Sequence, residues 1–151
     1  LSLLLYESAK EAGATVHRKG TYLCMEGPAF STRAESRLYK SWGADVIGMT
    51  ALPEAKLARE AEICYSVIAC VTDYDSWWEP VEPVTVEIVL KTLHANIDTA
   101  RQIIKKAVKK MNRTRDCQCA SALAMSIVTD PAKIPAAQKE KLGLLIGKYI
   151  K

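Results

Sequence analysis

TYLCMEGPAFSTRAESRLYKSWGADVIGMT, residues 21–50, is the stretch whose reading decides the fold. It opens on apolar β-formers that belong to residues 15–25, which read as one or two strands with a turn at Lys19-Gly20. Glu26-Gly27-Pro28 is a loop signal. Thr32-x-x-Glu35 matches a capping box, Leu38 and Trp42 continue a helical stripe, and Gly43 is placed to stop it. Residues 45–50 (DVIGMT) then form a second short apolar strand. Strand, helix, strand within thirty residues predicts a βαβ unit and parallel pairing.

The same alternation continues outward. Before it, residues 1–12 read as a helix with Leu4, Leu5, Ala9 and Ala12 on one stripe and Gly13 just past its end. No capping residue precedes Leu1, so the chain is expected to start inside an element, as a portion of a longer protein would. After it, Pro53 suits the first turn of a helix running to about Glu62. Residues 64–72 (CYSVIACVT) are almost continuously apolar, as a strand covered on both faces would be. A polar, Trp-bearing loop follows over 73–83. A long amphipathic helix is predicted over 86–111, with short helices near 120–128 and 135–150. The fold class is therefore α/β, a mixed, largely parallel central sheet flanked by helices.

Composition narrows the function classes. The 151 residues are 49% apolar and 25% charged, which is ordinary for a globular domain. A chain of this length buries roughly 70% of its unfolded surface and needs no staple. Net charge is +4, too mild to identify a nucleic-acid or membrane partner. The basic face of Arg101, Lys105, Lys106, Lys109, Lys110, Arg113 and Arg115 lacks the interleaved aromatics of a nucleic-acid reader and is best explained as a solvated helix face. No apolar run reaches the roughly 20 residues of a membrane span, and LSLLL at the start lacks the basic region of a signal peptide. No nucleic-acid and no membrane partner is expected. Five cysteines, an odd number without a framework spacing, read as reduced cytosolic thiols. Cys24, Cys64 and Cys70 sit in apolar runs and are expected to be buried small hydrophobes. Cys117-Gln-Cys119 is open to a local disulfide or a metal. A tetrahedral zinc site needs four ligands, however, and none is spelled here.

Ligands of parallel α/β sheets gather at the carboxyl ends of strands. That rule selects the loop 26–32, the strand end Met49-Thr50, and Thr72-Asp73-Tyr74-Asp75. In extended geometry Asp73 and Asp75 face one side. They suit either a solvated loop or a base-recognition pair, in which one buried carboxyl offers a proton and the other accepts from an exocyclic amine. Trp77 and Trp78 could wall such a site or simply pack. Thr50 suits an anion or a helix cap, two uses of the same hydroxyl. Phe30, the sole phenylalanine, suits stacking on a ring or core packing.

The ordered set Met25-Glu26-Gly27-Pro28-Ala29-Phe30-Ser31-Thr32-Arg33-Ala34-Glu35-Ser36, Trp42 to Thr50, Pro53-Glu54 and Thr72-Asp73-Tyr74-Asp75 resembles the C-terminal half of the methylthioadenosine phosphorylases, a branch of the trimeric purine nucleoside phosphorylase family. The likeness is continuous to about Met111. It implies a single nucleoside phosphorylase domain of which residues 1–151 are the C-terminal portion. The implied reaction, part of methionine and purine salvage, is phosphorolysis of methylthioadenosine to adenine and methylthioribose 1-phosphate. No metal or organic cofactor is implied, with inorganic phosphate as co-substrate. The protein would be cytoplasmic, and a homotrimer at full length. By the same resemblance Asp73 serves N7 of adenine as the catalytic group and Asp75 the 6-amino group. Phe30 packs on the base beside Ser31 and Thr72, and Met49 meets the ribose. Thr50 meets phosphate, and Val86 with Val89 lines the methylthio pocket. The 6-oxopurine relatives place an Asn in the Asp-Tyr-Asp loop, so Asp75 argues for adenine. The Cys-x-Cys resembles one that closes as a disulfide in some microbial members. The family's Gly-rich loop, Arg-His pair and second phosphate Thr have no counterpart in these residues. A 6-oxopurine nucleoside phosphorylase and a non-catalytic truncated subunit stand as the alternatives.

Overall fold

A computed structural model describes residues 1–78, 85–112 and 114–150. The expectations that fall on residues 79–83 and on Arg113 lie outside the described residues. The chain divides into two units, Leu1–Ala51 with Ser66–Met111, and Leu52–Tyr65 with Asn112–Lys151.

The first unit is built on the predicted βαβ motif. Strand β1 (Tyr22–Cys24) pairs in parallel with β2 (Val46–Gly48), Tyr22 opposite Val46 and Cys24 opposite Gly48. The Met25 N–H donates to the Gly48 carbonyl at 2.9 Å and carries the ladder one step past β1. Helix α2 (Arg33–Ser41) makes the crossover. Its capping box forms as the sequence predicts: Thr32 Oγ1 accepts from the Glu35 N–H, and Glu35 Oε2 accepts from the Thr32 N–H at 2.7 Å. Gly43 ends the helix at φ +81°, a conformation that costs residues with a Cβ. Helix α3 (Ala51–Glu60) starts directly after Thr50, with Pro53 in its first turn.

Helix α1 (Ser2–Glu11) packs on helix α4 (Val86–Lys110). Each presents small or branched buried residues, Ser8 and Ala9 from α1 and Ile103 and Ala107 from α4, so the backbones can approach closely. An ion pair between Lys110 and Glu11 closes one end of this contact. Thr85 caps α4 by accepting from the Ile88 N–H.

Two expectations are corrected. Residues 15–21 form no strand; of the stretch 15–25 only Tyr22–Cys24 is strand, with Thr21 and Met25 adding one hydrogen-bonded residue at each end. Residues 64–72 run without ladder pairing and are not covered, with Tyr65, Val67 and Val71 exposed. An apolar run becomes a strand only beside a partner, and among the described residues β1 and β2 pair with each other alone. The cysteines of those runs differ too: Cys24 and Cys64 are only half-buried and Cys70 is exposed, and none of the five cysteines is in a disulfide.

The second unit holds the rest of α3 and the C-terminal segment. The expected helix near 120–128 is a short 3-10 turn at Gln118–Ser121 followed by turns, and a second 3-10 turn forms at Pro131–Lys133. The helix expected over 135–150 is two short pieces, α5 (Ala136–Lys141) and α6 (Gly143–Ile146). Glu62 organises this unit. It is buried at φ +55°, and its carboxylate accepts from the Leu123 N–H at 3.1 Å, from Tyr149 and from Lys148. Among the described residues no helix is long and apolar enough to cross a membrane.

Candidate active site

Parallel pairing puts the carboxyl ends of β1 and β2 on the same side, so the loop leaving β1 and the Met49-Thr50 corner leaving β2 are neighbours. The approach is close. A Cβ on Gly27 would stand 3.0 Å from Met49 Sδ, so glycine is the residue that lets the loop pass over Met49. Phe30 projects from this loop and is 87% exposed, which removes the core-packing reading. Ser31 follows, and Thr32 anchors the loop's far end in the capping box. The hydrogen bonds from Thr32, backbone first and hydroxyl second, hold the Glu35 carboxyl below its ordinary pKa, so this anchor is a charged one.

The third predicted segment joins the first through a side-chain contact. Ser31 Oγ donates to Asp75 Oδ1 at 3.3 Å, across 44 residues of sequence. Asp75 also accepts from the Ser76 N–H at 2.8 Å, which orients its carboxylate. Thr72 Oγ1 donates to Asp73 Oδ1 at 2.6 Å. Neither carboxylate is buried: Asp73 is exposed and Asp75 half-buried, so the expected buried acid is not found. Ser31 with Asp75 and Thr72 with Asp73 are thus two hydrogen-bonded pairs. Thr50 stands exposed immediately before α3. Val86 and Val89 occupy the start of α4, Val86 70% exposed. Their side chains carry no polar atom, so the hydrogen bonds that join the loops do not include them.

Three supporting residues escape a reading of the sequence. The Trp77 N–H donates to the Oγ of buried Ser36 at 3.2 Å, and Lys40 Nζ sits 3.2 Å over the Trp77 ring. Trp77 therefore packs on α2 and fixes the residues after Asp75, while Trp78 stacks on Tyr74 at 5.0 Å. Asn96 of α4 donates to the Val71 carbonyl at 2.9 Å and pins the chain just before Thr72. Ser36 and Lys40 share a helix face four apart, a visible spacing. No local pattern pairs Asn96 with Val71, which are 25 residues apart.

Comparison with known proteins gives this constellation its family. The profile of the phosphorylase superfamily matches residues 1–109. An S-methyl-5′-thioadenosine phosphorylase of Geobacter sulfurreducens is 60% identical over 150 residues, covering 99% of this chain and 52% of that protein. One of Thermosynechococcus vestitus is 55% identical over 90% of this chain and 47% of its own length. A methylthioadenosine phosphorylase from an antarctic soil metagenomic library has a crystal structure that superposes with a TM-score of 0.84 at 40% identity. It covers 94% of this chain and 51% of that one. The Schistosoma mansoni methylthioadenosine phosphorylase in complex with adenine superposes at 0.68 with 31% identity, covering 83% and 50%.

The chain belongs to the phosphorylase superfamily, and its helix-rich body with a small parallel sheet is an incomplete nucleoside phosphorylase α/β fold. Within that superfamily it resembles the S-methyl-5′-thioadenosine phosphorylases, whose length it spans by about half.

Proposed function

We propose that this chain is the purine-recognising portion of an S-methyl-5′-thioadenosine phosphorylase. The observation that carries the reading is the Ser31–Asp75 hydrogen bond, which ties the Phe30 loop to the Asp-Tyr-Asp loop. In the proposed reaction a phosphate oxygen attacks the anomeric carbon of methylthioadenosine. The bond from that carbon to N9 breaks, and its electron pair passes to the purine. Asp73, which Thr72 orients, serves N7 of the leaving adenine and passes it a proton drawn from water. Asp75, aimed by Ser31 and the Ser76 N–H, accepts from the 6-amino group. Phe30, already exposed, stacks on the base. Met49 meets the ribose, Val86 and Val89 the methylthio group, and Thr50 one phosphate oxygen.

The reading includes inorganic phosphate as co-substrate with no metal or organic cofactor in the reaction, a homotrimer at full length, and a cytoplasmic location. Residues 1–151 are read as the C-terminal portion of one domain. The test is phosphate-dependent release of free adenine from methylthioadenosine by the purified chain, with inosine as control. Adenine release with inosine untouched supports the reading. Hypoxanthine release instead overturns it in favour of a 6-oxopurine phosphorylase. A folded chain that releases neither base and fails to bind phosphate is a non-catalytic subunit.

A further inference from the structure

The second unit brings three thiols together. The Sγ atoms of Cys64, Cys117 and Cys119 all lie within 4.8 Å of one another, with Cys64 and Cys117 at 3.3 Å. Cys64 and Cys119 are half-buried and Cys117 is exposed, so the cluster is accessible from solvent yet walled on one side. Cys64 thus joins the Cys-x-Cys pair from 53 residues away.

We propose that Cys64, Cys117 and Cys119 form a three-thiolate site for a soft, thiophilic metal ion of the zinc class. Zinc–sulfur bonds run at about 2.3 Å, so three sulfurs around one ion stand about 4 Å apart. The thiols here already meet that spacing to within a side-chain adjustment. Three sulfurs select soft d10 ions over magnesium or calcium, which take oxygen ligands. Among the described residues no further His, Cys, Asp or Glu joins the group, so a fourth position is left to water.

The frame around the cluster is fixed, as a metal site requires. Cys64 stands two residues after Glu62, and Cys117 two residues after Arg115. Arg115 Nη1 donates to the Glu62 carbonyl at 2.9 Å, which holds the two segments side by side. The Leu123 N–H donates to Glu62 Oε1 at 3.1 Å and fixes the chain on the far side of Cys119. Both ligand-bearing segments are therefore clamped to one buried glutamate before any ion arrives. Binding balances simply: the ion takes three thiolates, and up to three thiol protons pass to water.

The test uses the full 151-residue chain, reduced and kept free of oxygen, titrated with Cd(II) as the spectroscopic stand-in for Zn(II). The expected result is one ion per chain, with a thiolate-to-metal charge-transfer band of three-sulfur intensity and competition by Zn(II). Cys64→Ser is expected to weaken binding at least about tenfold, whereas Cys70→Ser leaves it unchanged. Equal affinity in Cys64→Ser would overturn the proposal by assigning the ion to the Cys-x-Cys pair alone. Failure of the reduced chain to bind Cd(II) or Zn(II), or binding of Cu(I) only, overturns the zinc-class assignment. Alkylation of the unaltered protein reads the same site without a variant. Bound Zn(II) is expected to protect Cys64, Cys117 and Cys119 together while Cys70 stays reactive, and separate labelling of Cys64 refutes the site.

Discussion

In the proposed reaction, Asp75 is the residue on which substrate choice turns. A carboxylate opposite a 6-amino donor is satisfied, and the same carboxylate opposite a 6-oxo acceptor is left unpaired. In a preparation that releases adenine, Asp75→Asn is expected to lower kcat/KM for methylthioadenosine by about 10- to 100-fold, with a gain on inosine. Strict adenine preference in that variant would end the specificity argument. Ser31→Ala removes one hydrogen bond to Asp75, worth about 1 kcal/mol, and is expected to cost up to about tenfold, mostly in KM. The strand-end rule selected the loops that carry Ser31 and Asp75, although residues 64–72, ahead of Asp75, form no strand. Their exposure was not legible. The Asp pair suited either a solvated loop or a pair with one buried acid, and the structure decides for exposure: Asp73 is open to solvent and Asp75 half-buried.

At the scale of elements, the strongest local signals were the ones that formed. Thr32 and Glu35 make their capping box because both partners lie within one helical turn. Thr32→Ala is expected to destabilise the first unit by about 1 kcal/mol and to loosen the Phe30 loop, read as a lower Tm and faster amide exchange over residues 26–32. Gly48 has a less visible role. A Cβ there would meet the Tyr22 side chain, its hydroxyl first and then Cζ at 2.8 Å, because that side chain reaches along the ladder from its own partner Val46 to the residue opposite Cys24. Gly48→Ala is expected to cost about 1–3 kcal/mol, and adding Tyr22→Phe is expected to restore only part of it, since the hydroxyl goes but Cζ stays in place. In the second unit Glu62 ties α3 to the C-terminal segment. Desolvation pushes its carboxyl up, but the bonds from Lys148, Tyr149 and the Leu123 N–H outweigh that and set its pKa at about 2. A lowered carboxylate pKa stabilises the fold fully above the ordinary value of 4.5, and that stability is lost as pH falls towards 2. Thermal melts of the chain and of Glu62→Gln are expected to differ at neutral pH and to converge across that window. Convergence at higher pH would contradict the assignment.

The whole molecule shows many apolar side chains in contact with water, among them Trp42, Leu57, Val71, Ile104, Val108 and Leu144. The chain spans about half the length of its relatives. A surface of this kind drives association. The isolated chain is expected to bind a hydrophobic dye and to self-associate at micromolar concentration, which light scattering would detect; a monodisperse, dye-silent monomer would show that these faces are satisfied as they stand. The run at 64–72 belongs to the same account. Its composition is that of a strand covered on two faces, but composition cannot supply the neighbour that a ladder requires. By itself the sequence determined the first four helices, the Thr32 cap and the βαβ unit, since each depends on spacing within a few turns. Only the tertiary structure decided that Ser31 meets Asp75, that Asn96 holds Val71, and that Cys64 stands beside Cys117 and Cys119. Those contacts join segments 25 to 55 residues apart, where no local periodicity reaches and only the folded path of the backbone sets the distance.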